Sequence, residues 1–306
     1  MAPGVAFWVG FQTVILGLLA LDLGVFDRRP HRVGAREALA QTTAWVVLAL
    51  AFAGGVWTIR GRADALAFVT GYLLEKSLSV DNILMFVLVF RAFAVPPEFQ
   101  SRVLKLGVVG ALAMRCVLIL AGAALLHAFR WAAYAFAAVI IWSGVRLLRR
   151  RPGPPDLDRS PFLGLARRVL PLASGDTGEA LVVRRNGVMM ATPLLIVLVL
   201  LELADLLFAL DSIPAVFAVT GDPLLVYTSN VFAILGLRAL YFVIGDLVDT
   251  FRHVKTGLAI VLVLAGAKMA LNRVYPFPTD LMLGTVVLVL GLSVVASRWP
   301  IRQRSA

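Results

Sequence analysis

The chain has 306 residues and a single cysteine, Cys116, set in an apolar run. An internal disulfide is therefore excluded, and a thiolate metal site has no second ligand. Histidine is almost as scarce: His31, His127 and His253 fall in loops or at their ends. Charged residues make up only 15%, against about 25% in soluble domains. Apolar residues reach 60%, and mean hydropathy is +0.89. This composition excludes an ordinary cytosolic enzyme, a disordered chain and a secreted disulfide scaffold. The ten-residue alternating segments of a membrane barrel are lacking. So are a basic n-region and an Ala-x-Ala site after the first apolar run. That run is expected to stay in the mature protein.

What the chain does have is nine apolar stretches, at about 5–26, 41–59, 63–90, 103–126, 131–148, 191–220, 224–247, 256–271 and 281–297. A helix needs about 20 residues to cross a bilayer. Backbone groups in lipid must be paired internally, so the segments are expected to be helices. The predicted fold class is all-α, a polytopic membrane protein of about nine transmembrane helices. It forms one domain over 1–306, with a cytoplasmic loop at 149–190 inside it. The loop opens on a Pro- and Arg-rich linker and ends with Asn186-Gly187 between short apolar runs, a hairpin signal. A plain solvated connection and a partner-docking role both stay open.

The net charge of +11 suggests nucleic acid until the charges are placed. Of 29 Lys and Arg residues, 21 lie in alternate loops, 4 in the intervening loops and 4 inside spans. The bias predicts an outside N-terminus and a cytoplasmic C-terminus. The partner is then the lipid bilayer, with no nucleic acid.

The spans carry charges that need a reason. The third holds Glu75-Lys76 and Asp81-Asn82; the sixth holds Glu202, Asp205 and Asp211-Ser212, with Pro214 close behind. Asp22 lies in the first span. Inserting the five acids of spans three and six costs on the order of 12–18 kcal/mol. Intramembrane bases number four: Lys76, Arg115, Arg238 and Lys268. Full pairing leaves acids in excess, to be balanced by a bound divalent cation, by protonation or by both. Internal pairing is the alternative to an ion pathway. Lys76 reads equally as a displaceable counter-ion or as a plain salt bridge.

Glu75 and Asp81 are six residues apart, as are Asp205 and Asp211, and each second acid precedes a small polar residue and isoleucine. Three spans separate the copies, so they are expected to run antiparallel, as an inverted repeat. A straight helix places Asp211 half a turn from Glu202. Discontinuous helices around the acidic motifs, with a break near Pro214, would gather the acids; a kinked helix with separate clusters is the other reading. The expected metal site is Glu75, Asp81, Asn82, Glu202, Asp205, Asp211, Ser212 and Asp22. These offer only oxygen, which suits Mn²⁺, Mg²⁺ or Ca²⁺. Met85, Met189 and Met190 read as packing. No Ser–His or histidine-metal motif lies in a span, so an enzyme is not expected.

At these residues the sequence resembles the TerC family of integral membrane proteins. The carriers are Glu75-Lys-Ser-Leu-Ser-Val-Asp81-Asn82 and the run from Leu203 to Ala215. Leu21-Asp22-Leu-Gly-Val-Phe26, Ala94-Val-Pro-Pro97, Asn186-Gly187 and Ala191-Thr-Pro193 also match. The resemblance spans about 5–298 and implies kinship with LysE-type exporters, built on inverted helical repeats. It also implies manganese efflux, an alkaline-pH response and tellurite resistance in bacteria. Glu75, Asp81, Glu202, Asp205 and Asp211 would be the acids of the path. The predicted function is export of a divalent metal, Mn²⁺ first, by proton exchange in the bacterial inner membrane. No resident cofactor is expected, and a homo-oligomer stays open. The rival is a membrane partner protein that helps exported proteins mature or acquire metal.

Overall fold

In the computed structural model, the residues described are 10–17, 20, 34–149, 178, 180–185, 188–244, 254–272 and 277–298. Residues 10–17 are helical, within the first expected span. Then come α1 (Ala35–Arg60), α2 (Arg62–Ala92), α3 (Pro97–Ala128) and α4 (Ala132–Arg149). A hairpin of β1 (Val182–Arg185) and β2 (Val188–Ala191) follows. The second half holds α5 (Pro193–Val219), α6 (Pro223–Leu235), α7 (Leu237–Ile244), α8 (Val254–Leu271) and α9 (Thr279–Arg298).

The elements begin where the sequence signals them. Proline opens α3, α5 and α6 at a position that needs no N–H donor. The Thr192 side chain accepts from the Leu195 N–H at 3.4 Å, and Asp222 from the Leu224 N–H at 2.8 Å. Gly61 joins α1 to α2 at φ 94°, a left-handed conformation that favours glycine. Arg60 pairs there with both Asp64 and Asp222, tying the start of α6 to the α1–α2 joint. Asp222→Ala removes a cap and an ion pair together. It is expected to destabilise the protein by about 1–2 kcal/mol, read as a lower melting temperature in detergent.

Among the described residues, six helices are long and apolar enough to cross a membrane, and α6 with α7 makes a seventh span bent by 42°. The acid-bearing α2, 31 residues long, is not among the six. It nonetheless runs through the core, burying Phe68, Leu74, Ile83 and Phe90. The hairpin pairs Arg185 with Val188, as expected for the Asn-Gly signal; that dipeptide itself lies outside the described residues.

The inverted repeat is visible side chain by side chain. Asn82 of α2 donates to Asp205 of α5, and the Arg115 guanidinium links Glu75 to Ser212. A Cβ on Gly71 would lie 2.9 Å from Val216. Contacts advance along α2 as they retreat along α5, so the two helices cross antiparallel.

The crossing of α4 with α8 repeats the pattern. A Cβ at Gly144 would stand 2.8 Å from the Ala259 carbonyl oxygen; one at Gly266 would stand 2.9 Å from that of Ala137. Gly144 and Gly266 are 122 residues apart, and so are Ala137 and Ala259. Each helix thus offers the same Ala-x₆-Gly stripe to the other, and the backbones touch.

One expectation fails. Both acidic helices run unbroken through their motifs, and Pro214 sits inside α5 without ending it. The break falls instead at Gly236, between α6 and α7. Opening a helix in lipid strands backbone groups. The buried acids here find side-chain partners on neighbouring helices, which removes the need for freed carbonyls.

Candidate functional site

Helix geometry decides which acids meet. Two turns of helix bring residue i+7 back to the face of residue i, within about 20°, while i+6 lies about 120° away. Glu75 therefore shares a face with Asn82, and Asp205 with Ser212. These four meet where α2 crosses α5. Asp81 and Asp211 point elsewhere.

Arg115, contributed by α3, stands at the centre. Its Nη1 donates to Glu75 Oε2 at 2.7 Å, to Ser212 Oγ at 3.4 Å and to Asn230 Oδ1. Its Nε and Nη2 grip the two oxygens of Asp205 at 3.2 and 3.0 Å, a side-on bidentate pair. Asn230 of α6 donates to Glu75 Oε1 at 2.8 Å, and Asn82 to Asp205 Oδ1 at 3.2 Å. Arg115, Glu75 and Asp205 are each at most 3% exposed. Two carboxylates face one guanidinium, so the cluster is negative by one charge. Asn82 Oδ1 is buried and has no hydrogen-bond partner among the described residues.

Glu202 adjoins the cluster, three residues before Asp205. It is half-buried and accepts no hydrogen bond among the described residues. Its carboxylate lies over Gly110, where a Cβ would collide with it. Both acids line a narrow cleft of about 20 Å³ between α2, α3, α5 and the bent pair. Phe86, Leu104, Ile234 and Leu237 make its apolar walls, and Arg238 faces in from α7. Arg238 also donates to Ser101 and Gln41.

The other expected ligands lie apart. Asp81 sits 3.2 Å from Lys255 Nζ, at the start of α8. Asp211 accepts from Ser143 Oγ on α4 at 2.6 Å. Asp22 lies outside the described residues. Among the described residues, no three His, Cys, Asp or Glu side chains are placed to share a metal ion. The expected gathering of five acids therefore does not occur, because unbroken helices keep the i+6 acids off the shared face. Lys76, next to Glu75, donates to the Ala233 carbonyl rather than to an acid.

Two members of the cluster were not assigned from the sequence. Arg115 was countable as an intramembrane base, but its partners sit 40 and 90 residues away. Asn230 carries no charge, so a count of intramembrane charges passes over it; the polar run Thr228-Ser229-Asn230 inside an apolar span was the available signal.

The family described as "Integral membrane protein TerC family" matches residues 60–305. The chain belongs to the TerC family. An uncharacterised membrane protein of Myxococcus xanthus is 46% identical over 97% of this chain and 92% of its own length. A Salmonella typhi protein named "Putative membrane-bound redox modulator Alx" is 41% identical over 97% of this chain and 95% of its own. An uncharacterised membrane protein of Rickettsia bellii is 34% identical over 95% of this chain and 96% of its own. No solved structure matches it. This TerC-family chain is thus an integral, multi-pass membrane protein, and its hallmark runs are the helices that cross at Arg115.

Proposed function

We propose that this TerC-family protein exports a hard divalent cation, Mn²⁺ first, across the bacterial inner membrane in exchange for protons. One observation carries the reading. Glu75 and Asp205, matching positions of the inverted repeat, are buried on either side of a single cation, the Arg115 guanidinium. Uncompensated buried carboxylates are strongly destabilising. A guanidinium between them stands where a substrate cation would otherwise be needed.

Glu202 meets the entering ion from the cleft, and Asp205 and the unpartnered Asn82 Oδ1 lie beyond it. All are oxygen donors, the chemistry of Mn²⁺ and Mg²⁺ rather than of Zn²⁺ or Cu⁺. Arg115 must loosen its grip on Asp205 for the ion to pass, and protonation of these acids resets the site. The N-terminus lies outside and the 149–190 loop in the cytoplasm, following the Lys and Arg bias. A redox or tellurite phenotype would follow from metal balance, since one thiol cannot form an internal dithiol couple.

The test is cellular manganese. Cells expressing the protein are expected to hold less manganese than vector controls, and cells expressing Glu202→Gln or Asp205→Asn at equal level to match the controls. Equal manganese in all four overturns the reading.

A further inference from the structure

The bent span forms part of the cleft wall. Ile234 lines it from α6, and Leu237 and Arg238 line it from α7, on the far side of the bend at Gly236. The two arms differ in how they are held. Every residue of α6 from Leu224 to Leu235 is buried. In α7, which packs on α1, α2 and α3, Leu237, Arg238, Ala239 and Tyr241 are buried, with Arg238 donating to Ser101 and Gln41 and Tyr241 to Gln100, but Leu240, Phe242 and Val243 are only partly buried. The arm beyond the bend is short, with eight residues.

A helix that stops leaves its last carbonyls without backbone donors. At the end of α6 one of these is claimed from outside. Lys76 of α2 donates its ammonium to the Ala233 carbonyl at 3.1 Å, with the Tyr72 ring 5.9 Å away. Gly236 makes room for it, because a Cβ there would fall on Lys76 Nζ. The contact also satisfies an ammonium that would otherwise be stranded.

Lys76 follows Glu75 in the chain, and Glu75 is held by Arg115 and by Asn230 of α6. An ion that draws Glu75 away from Arg115 acts on the residue next to Lys76. We propose that Gly236 is the hinge of a gate formed by α7, and that Lys76 is the latch that holds the gate bent. With the latch closed, α6 and α7 meet at 42° and the cleft keeps its present walls. With it released, α7 swings at Gly236 and carries Leu237 and Arg238 away from Ile234. The consequence for ion passage rests on the transport reading; the hinge and latch rest on this geometry alone.

The test uses the full chain in lipid nanodiscs with Cys116→Ser as background. Leu237→Cys, on a residue 5% exposed, reports the gate through its rate of maleimide labelling. Ile140→Cys, at a position 0% exposed on α4 and away from the cleft, serves as control. Loss of a hydrogen bond from a charged donor shifts a two-state equilibrium by about tenfold or more. Lys76→Met and Gly236→Ala are therefore each expected to raise labelling at position 237 by about tenfold, with position 140 unchanged. Unchanged labelling at 237 in both variants overturns the latch, and so does a parallel rise at 140, which signals general loosening. Added MnCl₂ separates the two readings. If Lys76→Met opens the gate but MnCl₂ leaves the Lys76 protein unaltered, the latch stands and the coupling to transport falls.

Discussion

Arg115→Met is expected to destabilise the detergent-solubilised protein by about 3–5 kcal/mol. The guanidinium is fully buried and satisfies both Glu75 and Asp205. Removing it leaves two carboxylates facing each other in a low-dielectric interior, with only Asn82, Asn230 and Ser212 around them. The origin of the loss is testable by compensation. Adding Glu75→Gln and Asp205→Asn to Arg115→Met removes the unpaired charges and is expected to recover part of the stability, since a buried amide lacking a partner costs less than a buried unpaired charge. A single variant as stable as the parent would contradict the pairing. So would a triple variant no more stable than the single one. The triple variant should also lose metal export, which separates folding from function.

The second large effect is expected far from the charges. Gly144→Ala and Gly266→Ala should each destabilise by about 1–3 kcal/mol, because the new methyl group meets backbone atoms that cannot rotate away. At Gly144 these are the Ala259 carbonyl and, at 3.1 Å, the Val263 amide nitrogen; at Gly266 they are the Ala137 carbonyl and, at 3.2 Å, the Ile141 amide nitrogen. The two sites lie on one helix crossing, so once the first methyl has parted α4 from α8, the second adds less than its own share. Gly54→Ala is the contrast. It also lies inside a helix, but nothing stands within 4 Å of its Cβ position. Better helix propensity alone applies there, up to about 1 kcal/mol in favour of alanine. Melting temperatures of the three single variants and the double variant check this. Equal effects at positions 54 and 144 would mean that α4 and α8 do not touch as described.

Some of this was legible before any coordinates. Eight of the nine apolar stretches match helices α1 to α9, with the seventh divided between α6 and α7, and the first is described only in part. The hairpin followed from Asn186-Gly187, and the family from the hallmark runs. The six-residue spacing of the acids pointed correctly to a repeat, but the more telling spacing was seven. Glu75 to Asn82 and Asp205 to Ser212 are the pairs that share a face, and that could be read only by taking the helices as unbroken. Expecting a break at Pro214 led instead to a site of five converging acids. Lost backbone hydrogen bonds are dear in lipid, and Arg115 offered a cheaper way to settle the charges.

By itself the sequence determined what each segment must be, because apolar length, loop charge and turn residues act locally. A stretch of about 20 apolar residues has to be a helix wherever it packs. Tertiary structure alone decided which groups meet. Arg115 reaches Glu75 across 40 residues and Asp205 across 90, Gly144 meets Ala259, and Lys76 meets Ala233. These contacts depend on how helices cross, and the crossing is set by where small residues let backbones approach and where buried charges find their opposites.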